Sequence, residues 1–287
     1  MASAIIFGIT PSMARLAFEG GATPVTVTFF RAVMSLPVIL ILMKRQGVPI
    51  RMNRTEWRNL FWIGGMTNAV TTILLYMSYP LIPIGIATTL HFVYPIVVSA
   101  GCVLVYKDRL TLSTLVALVS CSLGVGLFAG NISGGIESAL GLFLATASGF
   151  TLAFYMIYAD KGALRGEHYL RITLNIAVTL ALASGAYGLA TGTLSFRMTP
   201  LAWVNIAIAS LATGVLGVAF LQIGIKRVGA TMASILSTFE PITSVLCGIV
   251  ILGEELSVPK MAGCVLILFS VLLISIAGGR RGASEKS

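Results

Sequence analysis

Ala87-Thr88-Thr89-Leu90-His91-Phe92-Val93-Tyr94-Pro95-Ile96 lies inside one apolar run, and Ala233-Ser234-Ile235-Leu236-Ser237-Thr238-Phe239-Glu240-Pro241-Ile242 inside another. The two stretches stand 146 positions apart (95 to 241) and share alanine, proline and isoleucine in register. At the same offset, without a gap, Trp57 meets Trp203, Asn59 meets Asn205 and Leu110 meets Leu256. The polar breaks behave oppositely. Lys107-Asp108-Arg109 meets Gly253-Glu254-Glu255, and uncharged Pro80-Leu81 meets Lys226-Arg227. Loops that are cationic in one copy are anionic or neutral in the other, as expected of two copies inserted in a membrane with opposite orientations.

Composition agrees. Of 287 residues, 57% are hydrophobic and 10% charged, with a mean hydropathy of +0.96; a soluble domain averages about 25% charged. Apolar runs of about 20 residues cross a bilayer core, and the chain offers ten: 1–18, 24–43, 58–79, 83–106, 111–129, 139–158, 171–190, 200–222, 229–252 and 257–277. The expected fold is an all-α membrane protein of ten transmembrane helices, arranged as two inverted five-helix repeats. The repeats cover 1–130 and 138–279, joined by the loop from Gly130 to Gly135. Five spans per copy, an odd number, is what inverts the second.

A net charge of +9 could suggest nucleic acid, but its placement argues for topology. With the N-terminus inside, the inside loops hold Lys44, Arg45, Arg51, Arg54, Arg58, Lys107, Arg109, Lys161, Arg165, Arg171, Lys226, Arg227, Arg280, Arg281 and Lys286. Outer positions hold Arg15, Arg197 and Lys260. Positive charge inside puts both termini in the cytoplasm of a multi-pass cell (inner) membrane protein. The span at Met1–Phe18 lacks a basic leader and is barely long enough to cross, which leaves open a short upstream piece of chain. Cys102, Cys121, Cys247 and Cys264 all lie in spans without metal spacing and read as small buried thiols. Glycines such as Gly64-Gly65, Gly124, Gly126, Gly185, Gly188, Gly214 and Gly217 read as close helix contacts.

The whole chain resembles the drug/metabolite transporter superfamily, in particular its EamA-type branch of ten-span proteins. The resemblance rests on Phe7-Gly8, Phe29-Phe30-Arg31-Ala32, the stretch Leu90 to Pro95, and above all Phe239-Glu240-Pro241-Ile242 through Leu252-Gly253-Glu254-Glu255-Leu256. It departs at Tyr94-Pro95 and Lys107-Asp108, and at Phe7, where the family commonly has Trp. The resemblance implies export of amino acids or related small metabolites, with no cofactor.

Glu240 is the in-span acid. A carboxylate at bilayer depth costs roughly 2.5–3.5 kcal/mol on insertion scales. It therefore needs a partner, water or a task, and two readings stand: a proton-coupling group, or an acid bracing the Pro241 bend. His91 precedes Tyr94 by one turn as Ser237 precedes Glu240, so each pair shares a helix face. Two inverted copies would bring all four together near the midplane. Pro95 and Pro241 each remove one hydrogen bond and should bend their helices there, as hinges or as static kinks. Arg31 either snorkels outward or turns inward toward an anion. Asn68, Thr71, Thr72, Asn175 and Gln222 should face the interior, and Phe92, Phe150, Phe154 and Phe239 could line it. Tyr76, Tyr79, Tyr155 and Tyr158 read first as an interfacial belt.

No catalytic or metal motif is present in the sequence: no HExxH, no G-x-S-x-G and no Walker A. The expected partners are a small-molecule substrate, protons as a candidate coupling ion, and the lipid bilayer, with no nucleic acid and a monomer or homodimer. The alternatives are an intramembrane enzyme acting on a lipid-linked substrate, a scaffold, and a transporter of nucleotide-like or drug-like compounds.

Overall fold

The structure, a computed structural model, describes residues 1–82, 84–108, 111–127, 136–252 and 257–284. The expectations placed on the 130–135 loop and on Arg109, Leu110, Glu254, Glu255 and Leu256 lie outside the described residues. Among those described, every regular element is helical. In chain order come α1 (Ala2–Glu19), α2 (Pro24–Arg45) and α3 (Arg54–Asn59), the last running through a π-helical stretch, Leu60–Met66, into α4 (Thr67–Ser78). Then follow α5 (Ile84–His91), α6 (Tyr94–Tyr106), α7 (Leu112–Gly126), α8 (Ile136–Lys161) and α9 (Tyr169–Thr191). Next, α10 (Pro200–Ala209) passes through a second π-helical stretch, Ser210–Gly217, into α11 (Val218–Ser237). The chain ends with α12 (Glu240–Leu252) and α13 (Val258–Ser284).

Several starts are legible in the sequence. The hydroxyls of Thr23, Thr111 and Thr199 accept the backbone N–H three residues on, capping α2, α7 and α10. Asn53 and Glu56 close a capping box at α3. Within α11, Gly229 has φ 79° and ψ 164°, so two helices meet there end to end. Six stretches among the described residues are long and apolar enough to cross a membrane: 24–45, 54–78, 86–106, 139–161, 169–191 and 200–237. Shorter apolar helices cover 112–126, 240–251 and 261–273.

Packing follows the repeat. Helix α2 lies on α9, and α7 on α13, each the counterpart of the other. The contacts of α4 and α5 with α8 are mated by those of α1 with the second π-helical stretch and α11, and that of α6 with α8 by that of α12 with α1. Thus many of the large interfaces are their own pseudo-symmetry mates or have one. The outside is apolar, with Leu104, Leu112, Leu182, Leu189, Val250 and Val258 exposed, while Ser35, Thr71, Ser148, Asn205 and Gln222 are buried. A surface so apolar is unstable in water and suited to hydrocarbon.

The segments expected inside gather at one end. Lys161 pairs with Asp108 at 3.0 Å, and Arg171 with Glu56 at 3.5 Å and Glu167 at 3.4 Å. Arg171 also donates to the Arg51 carbonyl at 2.6 Å, Lys226 donates to the Glu167 carbonyl, and Asp160 accepts from the Ala230 N–H at 2.9 Å. The opposite end joins Thr23 to the Thr193 carbonyl at 2.8 Å.

One expectation is corrected. Pro95 and Pro241 do not bend continuous helices. The helices break just before them, at Phe92-Val93 and Thr238-Phe239, turns that are themselves 146 positions apart (92 to 238). Each proline is the second residue of a new helix, α6 or α12. There the missing N–H has no intrahelical acceptor to lose, so proline is tolerated without a kink.

Candidate functional site

Both broken helices open on one central cavity of about 170 Å³, enclosed by helices from both halves. At each break one helix ends and another begins. His91 closes α5 and Tyr94 opens α6; Ser237 closes α11 and Glu240 opens α12; all four line the cavity. A helix terminus carries about half an elementary charge, negative at the C-terminus and positive at the N-terminus. The cavity wall therefore holds two such pairs of helix ends, besides its side chains.

Close approach by glycine brings the breaks inward. On α1, a Cβ at Gly8 would stand 2.7 Å from the Glu240 carbonyl oxygen and 2.5 Å from the Thr243 Cβ. On α8, a Cβ at Gly149 would stand 2.5 Å from the His91 carbonyl oxygen. Small residues here let the helix backbones touch, as in other membrane bundles. The packing role read for Gly65, Gly124, Gly185 and Gly188 holds as well, since a Cβ at each would collide with a neighbouring helix or loop. Gly126 has open space around it.

Arg31 turns inward. Its guanidinium donates to the Thr213 hydroxyl at 3.2 Å and lies over the Tyr76 ring, 5.9 Å from the centroid. Its Nε–H is buried without an acceptor. Among the described residues no carboxylate lies within ion-pair distance of Arg31, and no cation within that distance of Glu240. Two unit charges 4 Å apart attract by about 4 kcal/mol at an effective dielectric of 20. Both groups forgo that attraction here, although they line the same cavity.

The neutral polar residues divide. Gln222 is fully buried and donates to the Tyr155 hydroxyl. Asn68 donates to the Gly64 carbonyl at 3.3 Å, so its side chain meets the first π-helical stretch, and it lines the cavity with Thr71 and Thr72. Asn175 does not reach the cavity; its amide donates back to the Arg171 carbonyl at 3.1 Å.

The aromatic expectations need two corrections. Tyr76, Tyr79 and Tyr155 line the cavity rather than an interface, and Tyr155 is 1% exposed. Conversely, Phe150 and Phe154 stand on the outer surface, 52% and 45% exposed, with Phe154 against Tyr158. Phe92 lines the cavity, whereas Phe239 packs into the core behind it. Helix α8 is apolar on most faces, so hydropathy could not fix its rotation; the polar positions Ser148, Thr151 and Tyr155, at i, i+3 and i+7, were the available signal. Thr213 and Thr88 carry no sequence mark of their own.

The arrangement is suited to holding a polar molecule. It combines hydrogen-bond donors at Arg31 and acceptors at Glu240, not paired with each other, with aromatic and aliphatic walls. Among the described residues, no group of three His, Cys, Asp or Glu side chains gathers to hold a metal.

Comparison with known proteins converges on one family. The family model described as the EamA-like transporter family matches residues 1–130 and again 139–276, one match per repeat. The chain is 30% identical over 209 residues to a Synechocystis sp. protein described as uncharacterized transporter sll1319. That match covers 71% of this chain and 62% of the relative. Identity is 29% over 203 residues with the Salmonella typhimurium protein described as uncharacterized inner membrane transporter YicL, covering 68% and 65%. Each match spans less than two thirds of the relative's length. A solved crystal structure superposes with a TM-score of 0.82 over 97% of this chain and 96% of its own, at 16% identity, a likeness of fold.

Proposed function

From the premise that the chain belongs to the EamA-like transporter family, we propose that it is a secondary transporter exporting amino acids or closely related zwitterions. The observation that carries this reading is that the Arg31 guanidinium and the Glu240 carboxylate line one cavity with no ion-pair partner for either among the described residues, the Arg31 Nε–H also lacking an acceptor. A zwitterion can satisfy both, its carboxylate at Arg31 and its ammonium at Glu240. A purely apolar drug would leave both charges desolvated, at a cost of several kcal/mol. A nucleotide would bring more negative charge than a single cavity arginine offsets.

The same carboxylate couples transport to protons. Either a proton or the cargo ammonium occupies Glu240, so proton entry displaces cargo and exchange follows. His91, Tyr94, Ser237, Asn68, Gln222 and Phe92 complete the binding wall, while Phe239 supports it from behind. Alternating access is the rocking of two inverted five-span halves, ten spans in all, with the breaks before Pro95 and Pro241 as pivots. The basic end faces the cytoplasm of the inner membrane, with both termini.

The test is export from proteoliposomes loaded with the common amino acids, with and without an imposed pH gradient. Selective loss of a few amino acids, faster with the gradient, is expected. Loss of none would refute the substrate class, and loss indifferent to pH would refute the coupling. Orientation is tested separately: a cysteine at Arg54 should be labelled only from the cytoplasm, and one at Arg197 only from outside.

A further inference from the structure

Ser148, on α8, is completely buried and touches two polar partners. Its Oγ lies 2.6 Å from the Ala145 carbonyl oxygen and 2.8 Å from Nδ1 of His91. A hydroxyl has one proton to give. The carbonyl can only accept, so at 2.6 Å it takes that proton, and Oγ meets the imidazole with a lone pair. The proton of the second bond must then sit on Nδ1. A neutral imidazole carries a single N–H, which leaves Nε2 as a bare acceptor. His91 lines the cavity, and Nδ1 is occupied by α8, so the acceptor edge is the one left to the cavity. The contact depends on Gly149, next to Ser148, whose lack of a side chain lets α8 reach the end of α5.

We infer that Ser148 fixes the tautomer of His91, and that His91 thereby reads a hydrogen-bond donor on the cargo through Nε2. The opposite tautomer would turn an N–H toward the cavity and repel an ammonium group. The Ser148-held tautomer instead gives the cavity a polarity: donors at Arg31, acceptors at His91 and Glu240. His91 is then a specificity residue and Ser148 a positioning residue acting through it. The tautomer stands on the hydrogen bonds alone, while the role toward cargo rests on the transporter reading above.

The first arm is nuclear magnetic resonance of ¹⁵N-histidine-labelled full-length protein in bilayers. His168, the other histidine, is replaced as His168→Asn, which keeps an N-cap at α9. At neutral pH the His91 signal should be that of a protonated Nδ1 and an unprotonated Nε2. Ser148→Ala should move it toward the Nε2–H form and Ser148→Thr should restore it. An Nε2–H signal in the protein with Ser148 intact would overturn the inference without recourse to any variant. The second arm is proteoliposome flux of leucine, alanine and phenylalanine and inhibition by their N-trimethyl betaines, which lack an N–H. Ser148→Ala should raise KM by about tenfold, the worth of one good hydrogen bond, with maximal flux nearly unchanged. It should also erase discrimination against the betaines, with Ser148→Thr rescuing both. Unchanged discrimination in Ser148→Ala would overturn the cargo role. If no amino acid moves through the unsubstituted protein, the transporter reading and the cargo role fall together, and the tautomer is still decided by the first arm.

Discussion

The two broken helices have one backbone and two chemistries. In both halves the helix stops four residues before a proline, ahead of turns 146 positions apart (92 to 238), and restarts with that proline in its first turn. In the first half the residues at the break are His91 and Tyr94; in the second they are Ser237 and Glu240. The repeat supplies the geometry, a pair of helix ends on each side of the cavity. Divergence within that geometry has placed the carboxylate on one side only. The difference separates what the fold requires, a break, from what the proposed activity requires, a titratable acid at one of them.

The largest effect should come from that asymmetry. Glu240→Gln is expected to reduce pH-gradient-driven flux to background with folded yield retained, while Tyr94→Phe, the matching position, leaves most of the flux. Equal losses at both positions would erase the contrast. The glycine contacts should behave alike in the two halves. Gly8→Ala and Gly149→Ala each force a methyl against a backbone carbonyl, and overpacking of this kind costs about 1–3 kcal/mol. Thermal unfolding in detergent should fall for both and stay level for Gly126→Ala, which has open space. Arg31→Lys keeps the charge but loses the planar fork that a carboxylate matches, so KM for the transported zwitterion should rise about tenfold. The smallest change belongs to the prolines. At a helix's first turn, Pro95→Ala and Pro241→Ala should shift stability by less than about 1 kcal/mol, whereas prolines kinking a helix interior would release about 3 kcal/mol.

Much of this was legible in the chain. The offset of 146 (95 to 241), the charge reversal between copies and the apolar runs led to an all-helical, two-repeat protein, and the structure and family comparison support it. Glu240, His91, Tyr94 and Ser237 stood out because polar groups at bilayer depth are costly and because repeat symmetry predicts where they meet. The misses have a common cause. Phe150 and Tyr155 are five positions apart on α8 and fall on opposite sides of it, one toward the exterior and one toward the cavity. A helix packed against neighbours on several sides and bounded by lipid on the rest has little hydropathy contrast around its axis. The break before Pro95 reads as a bend in the sequence because proline marks where a helix is interrupted without stating which side of it continues. Ser148 and Thr213 are small hydroxyls whose meaning lies wholly in what they touch on another helix.

The most direct test of the account is to follow one transported amino acid through Glu240→Gln in two modes, exchange at equal pH and net flux under a pH gradient. The account predicts that exchange persists, at weakened affinity, while the gradient no longer drives net movement. Gradient-driven flux surviving in Glu240→Gln would contradict it, as would loss of both modes together with loss of folded protein, which would make Glu240 a structural brace.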